Sequence, residues 1–251
     1  MMATLARADL ESLLRARRLD RTLTTAIPTS PPSAAHDDLA VAAAGVTTLD
    51  ASLGGGVPRG QLSELVGVRS SGRTSLMLRM LAAATARGEL VALVDAVDRL
   101  DVASAAAAGI ALDRLLWVRG HVSANPGLCR DTNQRALEQA IRALTLVLQA
   151  GNFGLVVFDA ADVPADALRR LPFTTWLRLQ RMIEGTQTTC VLVGSERMAR
   201  SAAGLTLELS APRAACGPRR FTGVSTEARL IQARHHARAA AALRVPLSTA
   251  W

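Results

Sequence analysis

Short continuous apolar runs alternate along the chain with longer segments of helical period. Residues 61–66, 90–94, 115–118, 154–158, 189–193 and 205–209 read as strands. Such unbroken runs are expected of strands covered on both faces. Residues 74–87 read as a helix, apolar at Leu76, Met77, Met80, Leu81 and Ala84, with Gly88 as its stop. Residues 131–149 repeat the pattern at Leu137, Ile141, Leu144 and Leu148. Residues 175–183 and, more briefly, 102–108 also read as helices. Strands and helices in alternation predict an α/β fold, a mainly parallel twisted sheet with helices on both faces. Ligands of such sheets sit at the carboxyl ends of the strands, where Asp95, Asp159 and Ser195 fall.

The ends of the chain follow other patterns. Residues 8–19 form an amphipathic segment with Leu10, Leu13 and Leu14 on one face and Glu11, Arg15 and Arg18 around the other. A helix that short is marginal alone and must dock, on its own domain or on a partner. Pro28, Ser30, Pro31, Pro32 and Ser33 mark a linker up to about Ala42. Near the other end, residues 227–236 and 245–247 read as a strand pair. Three segments result: 1–44, a core of 45–211, and a basic extension of 212–251.

The segment Gly67-Val68-Arg69-Ser70-Ser71-Gly72-Arg73-Thr74 joins a predicted strand to a predicted helix. Its spacing is that of G-x-x-x-x-G-K-[ST], in which backbone N–H groups and a helix N-terminus converge on phosphates. Arg73 stands where that template has lysine. The sequence has neither lysine nor tyrosine. A general drift from lysine to arginine would account for many positions, but a lysine needed for catalysis should have resisted it.

Composition narrows the class. Arg or Asp interrupts every apolar run before it reaches spanning length, and the N-terminus has no hydrophobic core of a secretory signal. Cys129, Cys190 and Cys216 are odd in number and widely spaced, which favours reduced thiols in a cytoplasm over a disulfide frame or zinc site. The net charge of +8 is uneven: residues 167–251 carry thirteen arginines against four acids. Such a concentration suggests nucleic acid or an acidic protein surface as partner. His235 and His236 would point to opposite sides of a strand, so no metal site is expected.

The run Gly45-Val46-Thr47-Thr48-Leu49-Asp50, then Gly54-Gly55-Gly56-Val57-Pro58-Arg59-Gly60 and the loop itself, resembles the RecA recombinase superfamily. The resemblance extends to Asp95-Ala96-Val97 and to Val156-Val157-Phe158-Asp159, which look like the second strand and Walker B of that superfamily. Residues 13–24 and Thr175-Trp176-Leu177-Arg178-Leu179-Gln180 look more like one branch, the ImuA proteins, RecA-like accessory factors of damage-induced mutagenesis.

What this resemblance implies depends on the departures from it. Gly67, Ser70, Ser71, Gly72, Arg73, Thr74, Ser75 and Asp159 would be a vestigial nucleotide site, with Thr74 and Asp159 the pair on the Mg²⁺ side. The superfamily's water-activating glutamate corresponds to Val97, which can neither accept a proton nor orient water. General-base help of that kind contributes about 10²-fold or more. Asp98 is expected to be a poor substitute, because adjacent side chains of a strand face opposite ways. Ser195 would replace the γ-phosphate sensor and is short.

No catalytic residue and no cofactor is therefore expected, with ATP and Mg²⁺ as the alternative. The loops of residues 164–174 and 196–204 would correspond to the superfamily's DNA-binding loops. Arg169, Arg170, Arg197 and Arg200 in them are candidates for phosphate contacts. Of the aromatics, these loops hold only Phe173 for stacking bases. Arg219, Arg220, Arg229 and Arg234 are candidate DNA or partner contacts of the basic extension. The implied role is a non-catalytic adaptor in SOS-induced translesion synthesis, cytoplasmic and nucleoid-associated after damage. It would bridge an ImuB-like Y-family polymerase homologue, an error-prone C-family polymerase, and RecA or DNA, with self-association open and no membrane. The alternatives are an active RecA-like ATPase or recombinase, and a SulA-like cell-division inhibitor.

Overall fold

The computed structural model describes residues 41–123, 130–211, 213–216, 221–233 and 243–247. The helix expected over residues 8–19, with Leu10, Leu13 and Leu14, lies outside them, as do Cys129, Arg219, Arg220, Arg234, His235 and His236.

A small antiparallel pair opens the described chain: β1 (Val41–Ala42) against β2 (Val57–Pro58), with helix α1 (Thr47–Ser52) between them. There follow β3 (Leu62–Gly67), α2 (Arg73–Ala86), β4 (Val91–Asp95), α3 (Val102–Ala107) and β5 (Leu115–Arg119). Next come α4 (Arg130–Ala150), β6 (Leu155–Asp159), α5 (Ala165–Arg169), α6 (Phe173–Ile183), β7 (Thr189–Gly194) and β8 (Leu205–Leu209). The last three strands are β9 (Arg213–Cys216), β10 (Phe221–Ala233) and β11 (Leu243–Leu247).

Among the described residues nine strands form one sheet in the order β11-β10-β8-β3-β7-β6-β4-β5, with β9 paired to β10 off that path. From β8 to β5 every neighbour is parallel. Antiparallel pairing begins only where β10 meets β8, and β9 and β11 add to it in the same sense. The strand pair expected near residues 227–247 is present, longer at its start than the sequence suggested. The sheet thus continues past residue 212, where the sequence reading placed an appended extension.

Strand alternation divides the core between the two faces of the sheet. Ala92, Val94, Val156, Phe158, Cys190 and Leu192 meet α4 and α6 through Leu137, Leu144, Trp176 and Leu179. Their neighbours Val91, Leu93, Val157, Val191 and Val193 meet α2 through Leu76, Met77 and Leu81. Burial on both faces is why these strands read as unbroken apolar runs. Cys190 is a buried free thiol, and burial pushes its pKa up to about 12, so it packs as a small hydrophobe.

One buried polar group ties the sheet to a loop beyond it. Glu64, in the middle of β3, is 1% exposed. Its Oε1 accepts hydrogen bonds from the backbone N–H groups of Met198 (2.6 Å) and Ala199 (2.7 Å), and its Oε2 accepts one from the Thr206 hydroxyl (3.0 Å). The loop after β7 is thereby fixed at the middle of β3, on the face of the sheet that α4 and α6 cover.

Candidate functional site

The carboxyl ends of β3, β6 and β4 carry the candidate site. Gly67 closes β3, and no side chain could be placed there: a Cβ would lie 2.6 Å from the Leu209 carbonyl oxygen and 2.6 Å from the Ser71 hydroxyl. Gly67→Ala should destabilise the protein by about 1–3 kcal/mol through this overlap with backbone. A denaturant midpoint unchanged from wild type would contradict it.

Beyond Gly67 the chain reverses through Ser70 (φ +62°) and Gly72 (φ +93°), with Ser71 N–H donating to the Val68 carbonyl at 3.1 Å. Left-handed residues alternating with ordinary ones curl the backbone into a concave nest whose N–H groups face inward. Helix α2 starts at Arg73 directly after the nest and adds its dipole. Ser70, Thr74 and Ser75 are exposed around this cradle, while Ser71 and Arg73 are buried.

Arg73 is the unusual member. It is 6% exposed, and its Nη1 is buried with no hydrogen-bond partner among the described residues. Burial lowers its pKa, and the charges of Asp159 and Asp162 act the other way. The Ser71 hydroxyl is likewise buried without a partner. Asp159 ends β6 in register with Asp95 at the end of β4. Its carboxyl accepts from the Ala161 N–H at 3.0 Å. Its pKa is pushed up to about 6, chiefly by desolvation and also by Asp95 and Asp162, against the opposing pull of the Ala161 N–H and Arg73. Asp95 is occupied structurally: Oδ2 accepts from Arg99 N–H (2.7 Å), Leu100 N–H (2.8 Å) and Trp117 Nε1–H (3.3 Å).

The positions expected to be catalytically empty are now visible. Val97 is partly buried and packs against the core shared with α4. The expected reason for discounting Asp98 needs correction, because β4 ends at Asp95 and neither Val97 nor Asp98 lies on a strand. Asp98 sits at φ +58° and pairs with the Arg119 guanidinium through two hydrogen bonds of 2.8 Å. Those bonds hold its carboxyl below the usual carboxylate range. Arg119 also stacks over the Trp117 ring at 4.7 Å. Asp98 is thus engaged away from the cradle. The Arg119 partnership was missed in the sequence, although β4 and β5 as parallel neighbours would bring Arg119 to the level of Asp95.

The loops expected to hold DNA also differ. Residues 164–174 contain α5 and the start of α6, and Arg169 lies on α5. Arg169 pairs with Glu196 at 2.8 Å, Arg170 with Asp166 at 3.3 Å, and Arg197 donates to the Gln232 side-chain Oε1 at 2.9 Å. Arg200, at φ +48°, is exposed in a short 3₁₀ turn, and Arg229 is exposed on β10. Ser195 is exposed just past β7. The arginines are therefore spread over α5 and its end, the segment after β7, and the interior strand β10, several of them already paired.

The residues present fit a polyphosphate: a nest, a helix N-terminus, and two buried polar groups lacking acceptors or donors. They fit a divalent cation less well, since the positive charge of Arg73 already acts on the Asp159 carboxyl it would need. Among the described residues no cluster of three or more His, Cys, Asp or Glu could hold a metal ion. Among those residues no helix is long and apolar enough to cross a membrane.

A strand, a glycine-bounded phosphate cradle and a helix, with an aspartate ending a strand two places away, define a P-loop domain of the parallel α/β class. More narrowly, the chain belongs to the RecA N-terminal domain family, which matches residues 31–169. Protein RecA of Syntrophus aciditrophicus (strain SB) is 33% identical over 177 residues, 64% of this chain and 48% of that protein. Protein RecA of Clavibacter michiganensis subsp. michiganensis is 33% identical over 174 residues, covering 63% and 44%. Protein RecA of Nostoc punctiforme is 45% identical over 122 residues, covering 48% and 30%. The chain thus spans less than half the length of these curated relatives.

Proposed function

We propose that this chain is a RecA-like module without ATP turnover that acts as an adaptor of the ImuA type. In that role it bridges an ImuB-like Y-family polymerase homologue and an error-prone C-family polymerase in SOS-induced translesion synthesis, with RecA or DNA as further contacts. One observation carries the reading: Arg73 fills the lysine position as a buried guanidinium while the residue at the base position is Val97, an apolar side chain partly buried against the core. Phosphoryl transfer depends on positioning and charge stabilisation acting together, so the loss of both a lysine and a base should be crippling. The ImuA branch rests on the likeness of residues 13–24 and 175–180, and the adaptor role on that branch.

The test has two arms. Purified chain should release no phosphate from ATP in Mg²⁺ beyond what the Asp159→Ala variant releases; steady release that Asp159→Ala abolishes would favour an active ATPase instead. Capture of an ImuB-like protein should weaken on charge reversal at exposed basic positions, Arg213→Glu with Arg229→Glu. Truncation after residue 211 is a poor substitute, because it would strip β10 from β8. Unchanged capture by the reversed variant would remove the C-terminal strands from the partner surface.

A further inference from the structure

We propose that the cradle binds a polyphosphate anion without a divalent cation, the Arg73 guanidinium occupying the electrostatic position that a metal ion would take beside Asp159. This rests on the reading of a cradle without hydrolysis and says what such a cradle still holds.

The argument starts from the two unpartnered groups. A buried guanidinium nitrogen lacking an acceptor is costly, more so than a neutral donor in the same state. Arg73 Nη1 is in that state although Asp159 and Asp162 lie close enough to stabilise its charge. These two carboxyls end or follow β6, while Arg73 opens α2, and the charges of both act on the guanidinium. A phosphate oxygen in the nest would give Nη1 the acceptor it lacks. The Ser71 hydroxyl, buried at the floor of the same loop, is the second group awaiting a partner. An arginine fork suits phosphate oxygens better than a point-like ammonium does, because it can present two parallel N–H groups.

The same placement works against a metal. In P-loops that use magnesium, the ion is held between the loop hydroxyl and the aspartate that ends the neighbouring strand. Here a fixed positive charge already acts on that aspartate. A divalent ion beside Asp159 would meet the like charge of Arg73, and Asp95, the neighbouring carboxyl, is already held by three hydrogen bonds. A polyphosphate held this way is bound but not activated, since no ion polarises its terminal group.

Binding by the full chain is to be measured calorimetrically with ATP and with inorganic tripolyphosphate, each in EDTA and in excess Mg²⁺. ATP should bind in EDTA at least as tightly as in Mg²⁺, and tripolyphosphate should compete for the same site. Arg73→Gln should weaken ATP at least tenfold. Asp159→Asn, which removes a negative charge facing the ligand, should tighten it severalfold, a gain that misfolding could not produce. Affinity that requires Mg²⁺, affinity that falls in Asp159→Asn, ATP binding with which tripolyphosphate does not compete, or no saturable binding in either buffer would each overturn the proposal. Failure here leaves the adaptor reading standing, whereas phosphate release in Mg²⁺ would sink that reading whatever the calorimetry shows.

Discussion

Replacing Glu64 by alanine should cost about 3–5 kcal/mol of stability, among the largest effects of any single substitution in this chain. Three donors depend on this one carboxyl: two backbone N–H groups at residues 198 and 199 and the Thr206 hydroxyl. All are shut off from water, so truncation orphans them and opens a cavity in the central strand at the same time. Glutamine separates the two contributions. Its amide oxygen can still accept from both N–H groups, and its NH₂ can donate to the Thr206 hydroxyl, which rotates to accept. Glu64→Gln should therefore retain most of the stability. The check is urea denaturation of both variants against wild type. A loss under about 1 kcal/mol for alanine, or equal losses for alanine and glutamine, would show that the carboxyl does not anchor the loop.

Much of this architecture was readable because each parallel strand is buried on both sides and each long helix repeats its apolar face. The β3–loop–α2 unit was plainest, since a run of strand character switches at Gly72 to the helical spacing of Leu76, Met77 and Leu81. What escaped notice was short or depended on partners distant in sequence. Helix α1 has six residues, too few for a period to declare itself, and α5 has five. Residues 164–174 were expected to be a loop, yet Pro164 and Pro172 each directly precede a helix. The anchoring role of Glu64 could not be read from the sequence, since its donors lie more than a hundred residues away. The same holds for the site: the loop, Arg73 and Asp159 were legible as types at a spacing, whereas the unsatisfied state of Arg73 Nη1 and the Asp98–Arg119 pair exist only in three dimensions. Residues 227–236 were read as a strand, of which the part to Ala233 lies on β10, but nothing in their sequence says that β10 closes onto β8 and extends the sheet.

Asp159→Asn should stabilise the protein above pH 6 and leave it unchanged near pH 4. In the folded chain the Asp159 carboxyl has a pKa of about 6 against an ordinary 3.8, so the native state holds its proton more tightly than the unfolded chain does. A group raised in this way gives its full stability below the unfolded value and loses it as pH rises through the folded one. Between about pH 4 and pH 6 wild type should therefore lose stability steadily, up to about 3 kcal/mol from this group. Asparagine never ionises, and its side-chain oxygen can keep the hydrogen bond from the Ala161 N–H. The variant should lack that decline, so the two stability curves should meet at the acid end and separate toward neutrality. The pull of Arg73 does not reverse the sign, because its attraction already acts within the raised value and desolvation outweighs it. Denaturant titrations of both proteins at half-unit intervals from pH 4 to pH 8 would decide the matter. Parallel curves across that range, or a variant less stable at pH 8, would mean that Asp159 is ionised without penalty and that Arg73 is its paired counter-ion.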